Sequence, residues 1–170
     1  DVREIQAADD KSVAFTTPDG AHNLQSRWLV DTSGRAAILK KNLSLQAPSE
    51  HRANAVWFRV DRRVIVDDWT ADQAWQARSA MPHERWKSTV HLTGAGYWVW
   101  IIPLESGVTS IGIVSDDIVF NEANIRTQED ALRWLGQNQP RVAEAIAGAK
   151  FLDFVVLPNY AYDCKKVLSA

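Results

Sequence analysis

The stretch GAGYWVWIIPL, Gly94 to Leu104, sets Tyr97, Trp98, Trp100 and a proline in an apolar strand behind a glycine turn. Side chains alternate faces along a strand and rise roughly 3.3 Å per residue, so Trp98, Trp100 and Ile102 share one face, with the two indoles about 7 Å apart. Tyr97, Val99 and Ile101 take the other face. Glu105-Ser106-Gly107 suits a three-residue hairpin loop whose last position needs positive φ, and Val108 to Val114 reads as the return strand. That loop sets Leu104 opposite Val108, Ile102 opposite Ser110, Trp100 opposite Gly112 and Trp98 opposite Val114. The missing side chain at Gly112 leaves room beside Trp100. A shorter Ser-Gly loop would slip the pairing by one and turn the indoles toward Ile111 and Ile113. Ser106 suits the left-handed backbone of that loop poorly, which favours the first register.

Working outward, Lys87 to Leu92 is expected as the strand that enters the turn through Thr93-Gly94-Ala95-Gly96. Ala55 to Asp61 alternates as another strand, with Val56, Phe58 and Val60 on one face. Between them, Val64-Ile65-Val66 reads as a short strand, Asp72 to Ala80 as a helix and Pro82 to Arg85 as a surface connection. Past the hairpin, Ser115-Asp116-Asp117 closes the sheet region and Ile118 to Arg126 is an irregular or briefly ordered connection. Thr127 to Gln137 is a helix, with Thr127 as N-cap, Asp130 three residues on, and Ala131, Leu132, Trp134 and Leu135 as its apolar stripe. Pro140 suits the first turn of a second helix, Arg141 to Ala147, ended by Gly148. Phe151 to Leu157 and Asn159 to Val167 read as extended segments broken by Pro158.

At the other end, Val2 to Ala8, Lys11 to Thr17 and His22 to Asp31 read as an antiparallel meander. They are joined by Asp9-Asp10 and by Pro18-Asp19-Gly20, where proline sets φ and glycine accepts positive φ. The third strand would end in the apolar Trp28-Leu29-Val30. Asp31-Thr32-Ser33-Gly34-Arg35 then leads into a helix, Ala36 to Leu43, and Gln46 to Asn54 is a polar loop. The expected fold is α+β: a mostly antiparallel sheet backed by helices, with an N-terminal three-stranded meander.

The 170 residues are long enough for one sizeable core, and a formal net charge of -2 with scattered Lys and Arg argues against nucleic-acid or anionic-membrane partners. No apolar run approaches the ~20 residues of a membrane span, and no signal peptide opens the chain, so a cytoplasmic location is expected. The lone cysteine, Cys164, permits no internal disulfide and reads as a small buried or half-buried thiol. Eight tryptophans stand against one methionine, which suits either a large core or a pocket for flat ligands. The chain begins at Asp1 on what reads as the middle of a strand, as a piece of a larger protein would.

Chemistry is sparse. A small hydroxylated turn running from strand into helix leaves backbone N–H groups that attract phosphates, or Thr32 or Ser33 merely caps the helix; both readings stay open. GxGxxG and GxxxxGKS are absent. His91 is either an acid–base group or substrate contact, or a hydrogen-bonded strand histidine. His22, His51 and His83 sit in polar surroundings and should be exposed. Asp67-Asp68 and Asp116-Asp117 read as solvated turns rather than paired acids. Neither metal-ligand spacing nor a GxSxG elbow is present. The tryptophan face is equally readable as core or as a rigid wall that holds or excludes a flat ring.

The run Trp98-Val99-Trp100-Ile101-Ile102-Pro103 resembles the WxWxIP motif of flavin-dependent halogenases. Arg85-Trp86-Lys87-Ser88-Thr89, His91-Leu92, Gly96-Tyr97 and Thr109 to Val114 are similar to the tryptophan-halogenase-like branch of that family. Val30 to Arg35 resembles the DASGR turn of the same flavoprotein superfamily, and Asp153-Phe154 with Asn159 to Tyr162 resembles the segment before its second flavin motif. This resemblance implies an internal fragment of an FAD-dependent enzyme that uses reduced flavin, oxygen and halide to halogenate a small aromatic substrate, served by a flavin reductase. It implies that residues 1–45 belong to the FAD domain and 46–170 to a substrate-facing domain. Asp31, Ser33, Gly34 and Arg35 would lie near the cofactor. His91, Trp98, Trp100, Ile102 and Pro103 would form the substrate-side or flavin-side wall, the tryptophans blocking direct monooxygenation. The family's catalytic lysine and its GxGxxG segment would precede such a fragment, so no catalytic residue is assigned, and the fragment alone should be inactive and hold FAD weakly or not at all. The rival expectations are a related FAD-dependent monooxygenase or reductase, and a non-catalytic module that binds apolar ligands.

Overall fold

The computed structural model describes residues 2–6 and 11–166. The expected Asp9-Asp10 link, the end of the first strand at Ala8 and the end of the last extended segment at Val167 lie outside the described residues. The chain divides into two compact units, residues 1–51 with 162–170, and residues 52–161.

In the first unit β1 (Val2–Gln6), β2 (Lys11–Thr17) and β3 (Gly20–Ser26) form the expected antiparallel meander, Thr17 pairing with Gly20 around the Pro18-Asp19 turn. The third strand stops at Ser26 rather than reaching Asp31, because its last partner on β2 is Lys11. Beyond it the Ser26 hydroxyl donates to the Trp28 carbonyl at 2.7 Å, and Trp28 and Val30 are 72% and 77% exposed. The expected helix over 36–43 is split: Gly34–Ala36 makes a 3-10 turn, Ala37 adopts a left-handed φ of 49°, and only Ile38–Asn42 (α1) is α-helical. Gln46–Ala47 (β4), expected as loop, pairs antiparallel with Asp163–Cys164 (β10). Cys164 is exposed, contrary to the expected buried or half-buried thiol, since a two-residue ladder has no second layer to cover it.

The second unit is built on a five-stranded antiparallel sheet. Its strands are β5 (Asn54–Val60), β6 (Val90–Gly94), β7 (Tyr97–Pro103), β8 (Thr109–Ser115) and β9 (Phe151–Leu157), in the spatial order β6-β7-β8-β5-β9. The central hairpin has the expected register: Trp98 faces Val114, Trp100 faces Gly112 and Ile102 faces Ser110. Leu104 N donates to Val108 O at 2.8 Å, and Gly107 takes a φ of 78°. The strand entering the turn begins at Val90 rather than Lys87. Residues Arg85–Lys87 instead form a 3-10 turn, drawn to the buried Asp67, whose carboxylate accepts from Arg85 N at 3.4 Å and Trp86 N at 3.2 Å.

One face of the sheet is the core. Val56, Phe58, Val60, Val99, Ile101, Ile111 and Ile113 pack against Ala131, Trp134, Leu135, Val142 and Ile146. Each such large side chain contributes roughly 1.5–3 kcal/mol on burial. The covering helices follow from local signals. Gln128–Asn138 (α4) carries a full capping box, in which Thr127 and Asp130 satisfy each other's backbone N–H. Pro140–Ala145 (α5) has proline at its first turn.

Asp117–Ala123 (α3) falls where an irregular or briefly ordered connection is expected. It is helical because Asp116 caps it, accepting from Val119 N at 2.8 Å, which also replaces the solvated-turn reading of Asp116. Val64–Val66 is not a strand: Val64 and Val66 are buried in the core, and Val66–Trp69 forms a 3-10 turn. The helix expected over 72–80 shrinks to Gln73–Gln76 (α2), capped by Asp72, which accepts from Ala74 N and Trp75 N.

Candidate functional site

The second face of the five-stranded sheet carries the tryptophans. Residues directly opposite one another across antiparallel strands lie on the same face, so the pairings line up rows. One row runs His91, Trp100, Gly112, Trp57, Val155 across all five strands. The next runs Thr93, Trp98, Val114, Ala55, Leu157. On the other side lie Ile102, Ser110, Arg59 and Asp153, with Arg59 Nε donating to the Asp153 carboxylate at 2.7 Å.

Gly112 is the centre of this surface. A Cβ there would sit under 3.0 Å from Cε2, Cζ2 and Cη2 of Trp100, so the indole lies flat over the bare glycine. Its Nε1 donates to Ser110 Oγ at 3.4 Å on the same strand as Gly112. Trp98 and Trp100 pack with Leu157 and Tyr160 against the buried Ala53, Ala55 and Val114, yet both indoles stay partly exposed. The face is therefore a half-covered aromatic wall rather than a sealed core. Burial raises the Tyr160 phenol above its ordinary pKa.

Of the expected wall residues, Trp98, Trp100 and Ile102 share this face with His91, which is exposed and directly opposite Trp100. Pro103 does not join them, because the pleat sends it to the face of Val99 and Ile101. Trp57 belongs to the wall although sequence reasoning assigns it no role. Its signal is present, since placing Val56 and Phe58 on one face of β5 puts Trp57 on the other.

The Asp31–Arg35 turn belongs to the first unit. Asp31 Oδ1 accepts from Ser33 N at 2.8 Å and its Oδ2 from Leu39 N at 2.9 Å, while Ser33 Oγ accepts from Ile38 N at 2.9 Å. The first two N–H groups of α1 are thus taken by side chains of the turn, so Ser33 and Asp31 satisfy the helix start although Ala37 stands at its N-cap position. The hydrogen bonds from Ser33, opposed by a smaller desolvation, hold the Asp31 carboxyl below its ordinary pKa. Gly34 has a φ of 57° and nothing within 4 Å of the position a Cβ would take, so its backbone is open to close approach. Arg35 is exposed and has no ion-pair partner among the described residues.

His22, His51 and His83 are exposed. Among the described residues no three His, Cys, Asp or Glu side chains converge as a metal site, and no helix is long and apolar enough to cross a membrane.

The fold is shared with several solved structures. The chain matches a flavoprotein/dehydrogenase from Cytophaga hutchinsonii with a TM-score of 0.68 at 18% identity, over 99% of this chain and 38% of that one. It matches halogenase PltM with a TM-score of 0.67 at 19% identity, over 96% and 33%. It matches aklavinone-11 hydroxylase, solved with FAD and aklavinone, with a TM-score of 0.59 at 11% identity, over 99% and 30%. At these identities the likeness shows the fold. In sequence the chain is 30% identical over 83 residues to the flavin-dependent halogenase chlA of Dictyostelium discoideum, covering 48% of this chain and 14% of that protein. It is 28% identical over 121 residues to the flavin-dependent halogenase armH1 of Armillaria mellea, covering 66% and 21%. The chain is similar in sequence to these flavin-dependent halogenases, and the matches span between 14% and 21% of their length. No family model matches it.

Proposed function

We propose that this chain supplies the aromatic wall and one cofactor-side turn of an FAD-dependent, halogenase-like oxidoreductase that acts on a small aromatic substrate. The observation that carries the reading is the WxWxIP strand itself, whose two indoles share an open sheet face with Trp100 laid over Gly112. Relatives named flavin-dependent halogenases support it. FAD suits the Asp31–Arg35 turn, where Gly34 leaves the backbone open and Arg35, unpaired among the described residues, is a cation that can meet a phosphate. Asp31 and Ser33 hold the turn's shape rather than reaching for the ligand, since their oxygens are already engaged. Bound and reduced, FAD would supply the two electrons that bring oxygen to the peroxide level, where it can in turn take two electrons from halide.

The chain's own residues act by shape. Trp98, Trp100 and Trp57 present flat apolar surface that excludes water and limits which rings can approach. Ser110 fixes the Trp100 indole, and exposed His91 offers the adjoining polar contact. A flavin reductase and a halide complete the proposed reaction. The likeness to aklavinone-11 hydroxylase keeps a second reading, an FAD-dependent monooxygenase without halogenation.

The test is to give the whole protein reduced FAD, oxygen and either bromide or chloride with indole and phenol substrates, and read products by mass spectrometry. Halogenated product is expected. Oxygenated product alone selects the second reading, and saturable substrate binding with no turnover selects a non-catalytic binding module.

A further inference from the structure

The tryptophan face ends, on the side of Ala55 and Trp98, at the turn that follows β9. Asn159 takes a left-handed φ of 47°, and its N–H donates to Asn54 Oδ1 at 2.7 Å. Asn54 is 2% exposed and is itself held, its Nδ2 donating to Asp117 Oδ1 at 2.9 Å. The next residue, Tyr160, donates its own N–H to Ala53 O at 3.0 Å. These bonds pin the backbone and lay the Tyr160 side chain against Ala53, Ala55 and Val114, in the same cluster as Trp98, Trp100 and Leu157.

Other polar groups of this face are committed. Ser110 Oγ accepts from Trp100 Nε1, and the Arg59 guanidinium is held by Asp153 at 2.6 and 2.7 Å. The Tyr160 hydroxyl, by contrast, has no hydrogen-bond partner among the described residues. It is not sealed either: the sealed side-chain atoms without a partner among the described residues are Gln76 Oε1 and Arg85 Nε, so the Tyr160 oxygen is open to solvent. Burial holds the phenol pKa above its ordinary value, so at neutral pH the group is protonated and can donate. A small ring lying against Trp98 and Trp100 strips water from that hydroxyl, and a desolvated donor without an acceptor costs binding energy.

We propose that Tyr160 selects the substrate of the wall by donating a hydrogen bond to an oxygen carried on the bound ring. Oxygenated aromatics, phenols and aryl ketones, are then preferred over hydrocarbon rings of the same shape. The inference rests on the reading of the wall as an aromatic-substrate site, and it names the ring substituent that site recognises.

Calorimetric titration of the whole protein with two probes of one shape tests this. The carbonyl oxygen of 2-acetylnaphthalene accepts a hydrogen bond, and in 2-isopropenylnaphthalene a methylene replaces that oxygen. The ketone is expected to bind roughly threefold to tenfold tighter, the worth of one net hydrogen bond. Tyr160→Phe should weaken the ketone by that factor and leave the alkene within about twofold. Because the hydroxyl bonds nothing in the fold, this variant should keep the parent's thermal midpoint. Trp98→Ala should weaken both probes alike through loss of flat apolar surface. A parent protein that binds both probes equally overturns the proposal while leaving the wall reading in place. So does a ketone preference that survives Tyr160→Phe, or an equal loss of both probes in that variant, which would mark the ring as packing only. Binding of neither probe to the parent removes the wall reading and the inference with it.

Discussion

Gly112→Ala tests the packing on which the wall depends. The strand backbone at Gly112 tolerates alanine, so the substitution by itself should gain roughly 0.5–1 kcal/mol from the unfolded chain. Against this, the new methyl would occupy the space of the Trp100 six-membered ring, where no real Cβ could sit. Trp100 is partly exposed and can swing toward solvent, so the response is local rather than a rupture of the helix-side core. Exposing on the order of 100 Å² of indole costs about 2.5 kcal/mol at about 25 cal/mol per Å². The net expectation is a loss of about 1.5–2 kcal/mol, measured by urea unfolding followed by circular dichroism. The decisive experiment repeats the substitution in a Trp100→Ala background. With the indole gone, Gly112→Ala should be stabilising, which gives a coupling of about 2.5 kcal/mol between the two positions. A Gly112→Ala protein of unchanged stability, or the same loss in both backgrounds, would refute the stacked geometry. In the catalytic assay the displaced indole should shift the ratio of oxygenated to halogenated product upward.

Other outcomes follow from single contacts. Thr109 is 1% exposed, and its hydroxyl donates to Arg62 O at 2.7 Å and accepts from Val64 N at 3.1 Å. Thr109→Val should therefore cost about 2–4 kcal/mol in urea unfolding, while Thr109→Ser keeps most of the stability. Asp130 has its pKa lowered to about 2, chiefly by the Arg126 N–H and the Arg133 side chain. Folding lowers that pKa, so its contribution is complete above the ordinary carboxylate value of 3.8 and is lost as pH falls through about 2. Asp130→Asn should accordingly differ from the parent protein at neutral pH and converge with it below that range. Asp31 uses both oxygens on separate backbone donors, whereas asparagine has one acceptor. Asp31→Asn should speed hydrogen exchange at Ser33 or Leu39 and loosen FAD binding by the whole protein, and unchanged exchange at both amides would remove Asp31 from the turn's frame.

Elements are legible in the amino-acid sequence where backbone pattern and local chemistry agree. The hairpin register follows from Gly107 and from the alternation around Trp98 and Trp100, because a pleated strand leaves only two choices of face. The capping box at Thr127 and the proline at the start of α5 mark their helices for the same local reason. The departures share another cause. Residues 117–123 carry no strong periodicity, and their helix is set by the Asp116 side chain. The third strand ends at Ser26, opposite Lys11 at the start of β2, which its own run of apolar residues cannot report. Arg85 reads as surface, but its backbone N–H and that of Trp86 are drawn inward by Asp67, a contact across 18 and 19 residues.

The sequence by itself determined that Trp98 and Trp100 share a face, that Gly112 stands opposite Trp100, and that the surrounding motif resembles that of flavin-dependent halogenases. Only the tertiary structure decided that Trp57 and His91 complete the same row, that Pro103 leaves it, and that Arg85 and Trp86 turn inward to Asp67. Alternation along one strand is a covalent property and can be read from a chain. Strand order and the reach of a side chain across a fold depend on which distant segments become neighbours, and that is settled by packing.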